Sequence, residues 1–480
     1  MVINQTLKPA ISALKISARP WPSVALLMTA DWLALCMASF ISVELRYFFN
    51  GQFHPSLYWR LWPVLGLFIL AYALGGLYPG VVISPVDELR RTSLASTLIY
   101  LVLSAAIFLF REGELYSRGI FLMAWGLTLM FIPLGRIIVR RLFSHCQWWG
   151  YPVVVLGAGR TGEMVIRTLK REPSLGLKPV AVLDDDPRKH GTLEGVPVIG
   201  GIPMAPILIQ RLQAPYAIVA MPGVPRAKLL TILERYGRTF PHILIIPDLF
   251  GFASLWVAAR DLGGILGLEV RQQLLLPGPR LIKACLDYSL AIVVGLMSLP
   301  IIGLIALIIR LDSPGPIFYG QTRLGQSGKY FRAWKFRSMA PDADQVLTHY
   351  LQQHPELRQD WEKDQKLKDD PRTTRVGRFL RRTSLDELPQ LWNVLRGEMS
   401  LVGPRPIVDQ EVWRYADKFE LYTKVLPGIT GLWQVSGRNN ISYPERVNLD
   451  AYYVRNWSVW LDVYILVRTI WVVTQGDGAY

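Results

Sequence analysis

Residues 281–316 read LIKACLDYSLAIVVGLMSLPIIGLIALIIRLDSPGP, and the fold turns on what this run does at Pro300. The apolar stretch exceeds the roughly 20 residues that a helix needs to cross a bilayer. Proline lacks the N–H for the helical ladder and clashes with the carbonyl of Leu296, so the sequence predicts a break near the middle. Ser298 can return a hydrogen bond to Val294 and sharpen the bend. Basic residues flank both ends, Arg280 and Lys283 before and Arg310 after, which suits two ends on the cytoplasmic face. Two folds stay open at this point: a kinked membrane span, or a helix over about 281–310 that enters the bilayer and turns back.

Downstream, residues 369–406 read DDPRTTRVGRFLRRTSLDELPQLWNVLRGEMSLVGPRP. The adjacent carboxylates Asp386 and Glu387 stand among Arg372, Arg375, Arg378, Arg381, Arg382, Arg396 and Arg405. Leu385, Leu388, Leu391, Trp392 and Leu395 recur at helical spacing, and Ser384 precedes Glu387 as in a capping box, so the acid pair is expected to open a helix. Unpaired N–H groups and the positive end of the macrodipole favour an anion there. Carboxylates ringed by arginines suit phosphate chemistry, because arginines hold phosphate oxygens while an acid can ligate magnesium or attack phosphorus. The bland alternative is an acidic first turn beside a solvated basic face.

Around this core, YFRAWKFRSM at 330–339 carries Lys335 and Arg337 on an alternating, strand-like stretch. Residues 341–368 read as a solvated helical insertion and 412–426 as an amphipathic helix. PGITGLWQVSGRNN at 427–440 is a glycine-rich loop holding Gln434 and Arg438. The segment 457–473, interrupted by Asp462 and Arg468, is expected to lie in the membrane interface or to pack on the domain.

Upstream, apolar runs at 21–43, 57–77, 94–110 and 120–139 predict four spans. Arg90 and Arg91, and then Arg136, Arg140 and Arg141, place their loops and both chain ends in the cytoplasm, leaving Arg46, Arg60, Arg111 and Arg118 outside. Asp31 and Pro133 are expected to face other helices. Lys8, Lys15 and Arg19 precede the first run without a small-residue cleavage site, which reads as an uncleaved anchor.

YPVVVLGAGRTGEMVIRTL then gives a strand, Gly157, Gly159 and Gly162 in GxGxxG order, and a helix. PVAVL ends at Asp184, near where an acid would reach a ribose. Further strands at 196–199, 216–221 and 242–246 alternate with helices, predicting a Rossmann-like parallel α/β domain. A bound nucleotide and a structural or dimerising role both fit it. The chain has no Tyr-x-x-x-Lys, which a short-chain reductase or epimerase would use as its base. The expected plan is four transmembrane helices over 1–145, a Rossmann-like domain over 146–250, a linker over 251–279 and a C-terminal domain over 280–480.

Composition agrees with a membrane protein: 51% of the 480 residues are hydrophobic and 19% charged. A net charge of +15 points to anionic lipid or polyphosphate ligands, since Trp and Tyr beside basic, apolar-flanking stretches suit an interfacial belt better than nucleic acid. Cys36, Cys146 and Cys285 form no CxxC pair, and His349 and His354 have no partner cluster, so neither a disulfide framework nor a zinc site is expected.

TSLDELPQLWNVLRGEMSLVGPRP and PGITGLWQVSGRN closely resemble the core signatures of the bacterial polyprenol-phosphate phosphoglycosyltransferases. These membrane enzymes move a sugar 1-phosphate from a nucleotide sugar to a lipid phosphate. The resemblance runs from about residue 280 to the C-terminus, and the spans and α/β domain in front match the large members, nearest to those that use galactose for O-antigen or capsule. It implies a re-entrant helix and a site on the cytoplasmic face of the bacterial inner membrane. A full crossing would instead put the acid pair outside, away from nucleotide sugars.

The resemblance also implies that Asp386 attacks the β-phosphate of a UDP-sugar, releasing UMP and keeping the phosphosugar as an acyl phosphate. Undecaprenyl phosphate would then collect it. Glu387 would hold Mg2+, with Asp386 beside it as a second ligand. Lys335, Arg381, Pro404, Arg405 and Arg438 match family residues that bind phosphates or support the site, and Arg337 and Gln434 join them as substrate-binding candidates. Galactose is the first choice of sugar and glucose the second. The expected partners are the UDP-sugar, undecaprenyl phosphate, the bilayer and a second copy in a homodimer, with no nucleic acid. One departure is that Leu299 separates Ser298 from Pro300, where many relatives have the two adjacent. Competing readings are a membrane-anchored nucleotide-sugar epimerase or dehydratase built on the glycine loop, and a non-enzymatic polysaccharide assembly protein.

Overall fold

The computed structural model of the chain describes residues 20–50, 55–59, 61–78, 80–81, 83–109, 116–146, 148–212, 214–225, 229, 231–232, 240–247, 257–261, 266–270, 273–340, 343–354, 371–437 and 441–475. The anchor residues Lys8, Lys15 and Arg19, the second half of the polar insertion, and Arg438 lie outside them. Two compact units, Met1–Phe250 and Gly251–Tyr480, divide the chain.

The first unit begins with helices α1 (Pro20–Asn50), α2 (Pro55–Trp59), α3 (Leu65–Leu74), α4 (Pro85–Leu109) and α5 (Arg118–Phe143). Of these, α1, α4 and α5 are long and apolar enough to cross a membrane. The second expected span is broken instead. Its described residues form the end of α2 at Trp59, a 3-10 turn at Trp62–Val64 containing Pro63, and α3. Pro63 cannot continue a ladder from α2, and Gly75 with left-handed Gly76 (φ +69°) ends α3. Helix α4 starts earlier than the apolar run, where Ser84 Oγ accepts the Asp87 N–H at 3.1 Å. Arg91 is therefore helical, paired with Asp87 at 2.8 Å, rather than a loop charge.

Arg136, expected as a flanking charge, is only 1% exposed inside the bundle. Its Nε and Nη2 grip both oxygens of Asp31 at 3.0 and 2.6 Å, and Nη1 reaches Glu88 Oε1 at 2.8 Å. Arg140 joins the same Glu88 oxygen at 2.9 Å. Helices α1, α4 and α5 are thus tied by a charge network in which each buried ion has a partner, the condition for keeping ions in an apolar setting.

The α/β part of this unit holds β1 (Tyr151–Leu156), α6 (Arg160–Arg171), β2 (Leu177–Leu183), β3 (Gly191–Leu193), β4 (Val196–Gly200), α7 (Ala205–Leu212), β5 (Tyr216–Val219) and β6 (His242–Ile245). The sheet order is β3-β4-β2-β1-β5-β6, parallel except where β3 runs against β4. Val153, Val154, Val155, Ala181 and Val182 are fully buried, as strands covered on both faces must be. Gly157 takes φ +110°, and a Cβ on Gly162 would stand 2.1 Å from the Gly157 carbonyl, so the glycine spacing serves strand-to-helix packing. Asp184 accepts the Ala158 N–H at 2.7 Å and the Asp186 N–H at 2.9 Å, tying β2 to the glycine loop.

In the second unit, the stretch read as a linker contains an antiparallel pair, β7 (Val257–Asp261) and β8 (Leu266–Val270). Helix α8 (Pro277–Asp312) follows, 36 residues or about 54 Å at the helical rise. It runs through Pro300 as one helix where the sequence predicts a break. One missing N–H costs less in an apolar setting than unwinding, which would strand several further backbone groups. Its buried residues Lys283, Asp287, Ala291, Ser298, Ile305 and Ile309 form a stripe along its length, while Leu296, Met297, Leu299, Leu304 and Leu307 are exposed.

Next come β9 (Phe318–Leu324) antiparallel to β10 (Tyr330–Phe336), α9 (Ala343–Gln353), α10 (Arg375–Arg382) and α11 (Gln390–Leu395). Strand β11 (Ser400–Val402) pairs in parallel with β12 (Gly428–Thr430), followed by α12 (Leu432–Ser436), α13 (Tyr443–Asn456) and α14 (Val459–Gln475). The single helix expected over 412–426 is split into Val412–Tyr415, a 3-10 turn and Phe419–Thr423 around Ala416 at φ +43°. Tyr415 and Tyr422 thereby reach different partners, Asp450 Oδ2 at 2.8 Å and the Leu324 carbonyl at 2.9 Å. Asp462 is a buried anchor in α14. It lies 2.8 Å from Lys283 and accepts from Tyr453 and Trp457, while Ser400 Oγ donates to Asp287 at 2.7 Å.

Candidate active site

The site grows from the end of β10. Thr374 caps α10 by accepting the Gly377 N–H at 2.9 Å, and a Cβ on Gly377 would lie 2.0 Å from the Ser338 carbonyl. Only glycine lets this helix sit so close to the strand end, where the Thr374 N–H also donates to Ser338 O at 3.1 Å. Val376 and Leu380 turn toward Ile305 and Ile309 of α8. Ser384 then adopts φ +55°, left-handed, and its side chain makes no cap bond. The expected capping box is absent, because a left-handed residue cannot present its hydroxyl to the next turn as an extended N-cap does. Asp386 and Glu387 lie in a 3-10 turn, Leu385–Glu387, ahead of α11. Leu385 and Leu388 pack with Ile305, Ile309 and Phe336, whereas Trp392 and Leu395, expected on the same buried face, are exposed.

Asp386 is 8% exposed. Lys335 Nζ on β10 stands 2.6 Å from Glu387 Oε1 and 4.0 Å from Asp386 Oδ2. Burial above all, helped by the charge on Glu387, pushes the Asp386 carboxyl up to about 6, against the pull of Lys335 and Arg381. Burial works on Glu387 in the same direction, but Lys335, Arg405 and Arg323 together overcome it and hold that carboxyl below its ordinary value. Neighbouring acids are thus split into one that titrates near neutrality and one that stays ionised.

The two glycine-rich motifs meet through β11 and β12. Gly403 N–H donates to Thr430 O at 2.9 Å and Gly428 N–H to Pro404 O at 2.8 Å. A Cβ on Gly428 would be 2.1 Å from the Gly403 nitrogen, so the strands approach only as bare backbone. This contact aims the Arg405 guanidinium over the buried Trp433 ring at 5.6 Å, with Arg446 also over that ring at 4.8 Å. Burial and the like charge of Arg405 lower the affinity of Arg323 for its proton, so cations crowd this side of the acid pair.

A family model for bacterial sugar transferases matches residues 278–476, and a model for a CoA-binding domain matches residues 73–247. The UDP-galactose-lipid carrier transferase of Erwinia amylovora is 37% identical over 399 residues, 82% of this chain and 82% of that protein. The chain belongs to the bacterial sugar transferase family. The undecaprenyl-phosphate galactose phosphotransferase of Salmonella typhimurium is 34% identical across 80% of each chain. The exopolysaccharide production protein ExoY of Sinorhizobium fredii is 44% identical over 198 residues, 41% of this sugar transferase and 88% of its own length.

Of the residues singled out from sequence, Asp386, Glu387, Lys335, Arg381 and Arg405 gather around the acid pair in this sugar transferase. Arg381 donates to Ser338 Oγ at 3.0 Å and acts on Asp386 through its charge, as a positioning group would. Arg337 differs from expectation: its guanidinium donates to Ser313 O at 2.7 Å, Ser313 Oγ at 2.8 Å and Pro314 O at 2.8 Å, fastening the end of α8. Gln434 donates to Ile429 O at 3.3 Å, within the glycine-rich loop. Gly157, Gly159, Gly162 and Asp184 belong to the first unit.

The sequence reading missed Asn393, which is fully buried. Its Oδ1 accepts the Trp334 N–H at 3.0 Å and its Nδ2 donates to Arg332 O at 2.7 Å and Glu398 Oε2 at 2.6 Å. The side chain continues the β10 ladder into α11 and so sets the spacing between Lys335 and Glu387. A polar residue between Trp392 and Val394 was the available signal.

Among the described residues no cluster of three or more His, Cys, Asp or Glu could enclose a metal ion. An adjacent carboxylate pair fits Mg2+, which takes one or two carboxylates and completes its shell with water and phosphate oxygens.

Proposed function

We propose that this sugar transferase moves a hexose 1-phosphate, first of all galactose 1-phosphate, from its UDP-sugar to undecaprenyl phosphate, opening bacterial surface polysaccharide assembly in the inner membrane. The observation that carries the reading is the buried Asp386 beside ionised Glu387, faced by Lys335 and Arg405. A carboxylate oxygen of Asp386 attacks the β-phosphorus, and the bond to the bridging oxygen breaks as UMP leaves with the electron pair. An oxygen of undecaprenyl phosphate then attacks the acyl phosphate, releasing the Asp386 carboxylate and the diphosphate-linked sugar. Anion meets anion in both steps, so Lys335 and Arg405 offset charge, while Arg381 and Asn393 hold the frame. Glu387, with Asp386 beside it, would hold Mg2+, which supplies charge neutralisation at phosphate oxygens.

An acceptor with a polyprenyl tail offers its phosphate only at headgroup depth. Both ends of α8 pack on the second unit, which supports a course that keeps that unit at one membrane face although the helix is unbroken at Pro300. That unit would face the cytoplasm, where UDP-sugars are made. The α/β domain reads as Rossmann-like on its sheet order and glycine loop.

Galactose is favoured by the names of the Erwinia and Salmonella relatives. Glucose is the second reading, on the UDP-glucose:undecaprenyl-phosphate glucose-1-phosphate transferase of Escherichia coli, 32% identical over 391 residues. Purified protein given labelled UDP-galactose or UDP-glucose with undecaprenyl phosphate should put one label into lipid. Donor-treated protein quenched in acid should carry one hexose phosphate on Asp386. Mass spectra without that adduct while lipid product forms would refute the covalent route.

A further inference from the structure

Arg323 enters the account above only through its charge on Glu387, and its own surroundings leave it open to a further ligand. It occupies the last turn of pairing in β9, and the Leu324 N–H donates to Ile407 O at 2.9 Å, which lays this strand end beside the Pro404–Arg405 turn. The side chain is 14% exposed. Its Nη2 donates to Gln321 Oε1 at 2.7 Å. Among the described residues the one carboxylate within reach is Glu411, whose Oε2 lies 4.0 Å from Nη1 and accepts the Val408 N–H at 3.2 Å. That separation is too long for a hydrogen bond. Arg405 is near enough to repel Arg323, and both act on Glu387.

A guanidinium keeps its charge throughout the working pH range. Two of them act on each other, one largely buried with its nearest carboxylate 4.0 Å off and hydrogen-bonded elsewhere, so donors of Arg323 stay free for a further anion. Their planar forks match the oxygens of a phosphate. We propose that Arg323 and Arg405 together bind a phosphate group of the substrates, making Arg323 a contact residue of the reaction. This rests on the functional reading above. The same chemistry is offered by two sources, the α-phosphate of the UDP-sugar, which departs in UMP, and the phosphate of undecaprenyl phosphate.

The full-length protein in nanodiscs, with Arg323→Met and Arg323→Lys, separates them. KM is measured for the UDP-sugar and for undecaprenyl phosphate, and melting with inorganic pyrophosphate reports anion binding apart from turnover. Arg323→Met should raise one KM by about tenfold or more, with Arg323→Lys between it and wild type because the charge stays and the fork is lost. A rise for the UDP-sugar, with weaker inhibition by UMP, assigns the nucleotide, whereas a rise for the lipid alone assigns the acceptor. Pyrophosphate should raise the melting temperature of wild type and not of Arg323→Met. Both KM values and the pyrophosphate effect staying within twofold of wild type would overturn the proposal. So would a fall in kcat alone with a lowered melting temperature, which marks a structural role. If Arg323→Met does not accumulate, Arg323→Lys decides on the same measurements. A wild-type protein that makes no lipid-linked sugar from either donor ends the functional reading, and the pyrophosphate comparison still judges Arg323.

Discussion

Asp386 is held in a state that costs the fold stability. Its carboxyl is pushed from 3.8 to about 6, so the folded chain binds that proton more tightly than the unfolded chain. The stabilisation is therefore full below pH 4 and is lost as pH rises toward 6. Near neutrality the ionised group costs up to about 3 kcal/mol, two pKa units at 1.36 kcal/mol each. Asp386→Asn should consequently abolish lipid-linked product while raising the melting temperature at pH 7.5, and a melting temperature that falls would contradict this account. The single-turnover rate of adduct formation should drop about tenfold per pH unit below 6, because the nucleophile takes up its proton. Lys335→Met should move that inflection to higher pH, since Lys335 pulls the Asp386 value down. The acid pair itself was legible because the chemistry is contiguous in the chain. Arg337 was not: alternation along a strand tells which side a residue takes, and nothing local tells that its donors end on the carbonyls of Ser313 and Pro314.

Between elements, single polar side chains set the spacing. Asn393→Ala would leave the Trp334 N–H and the Arg332 carbonyl unpaired in the interior, at a cost of about 2–4 kcal/mol, and it should depress kcat beyond what the lost stability explains. Denaturant melts beside turnover assays would separate the two effects. In the N-terminal helix bundle, Arg136→Met strands Asp31, while Glu88 keeps Arg140 at 2.9 Å, and should destabilise by about 3–5 kcal/mol, read as a lower melting temperature in detergent. Adding Asp31→Asn should recover much of it, because the uncompensated charge is then gone. Hydropathy found α1, α4 and α5 and set Asp31 facing inward. It could not give the partner, because an arginine near a helix end reads equally well as an orientation signal. The acid pair was expected to open an α-helix, and it occupies a 3-10 turn instead. The deciding factor, Ser384 at φ +55°, follows from Leu385 and Leu388 seeking α8, a tertiary demand that overrides local capping.

Taken as a whole, the chain is two units, and the sugar transferase family match falls in the second. That match covers 278–476, and the ExoY relative aligns over a similar length, 198 residues, for 88% of its own chain. Residues 251–480 expressed alone in nanodiscs should therefore transfer labelled sugar phosphate, and complete inactivity of a folded fragment would tie catalysis to the first unit. The hairpin of β7 and β8 escaped notice because VAARD and LGLEV are short and lack an Asn-Gly or Asp-Gly turn. Helix α8 is fastened near its start by Lys283 and Asp287, and near its end by Ile305, Ile309 and the Arg337 clasp on Ser313. A rod pinned at both extremities to the body it serves has no freedom to tilt by itself. Changing membrane thickness then raises or lowers the whole catalytic body, so turnover across discs of increasing acyl length should peak at one thickness and fall on either side.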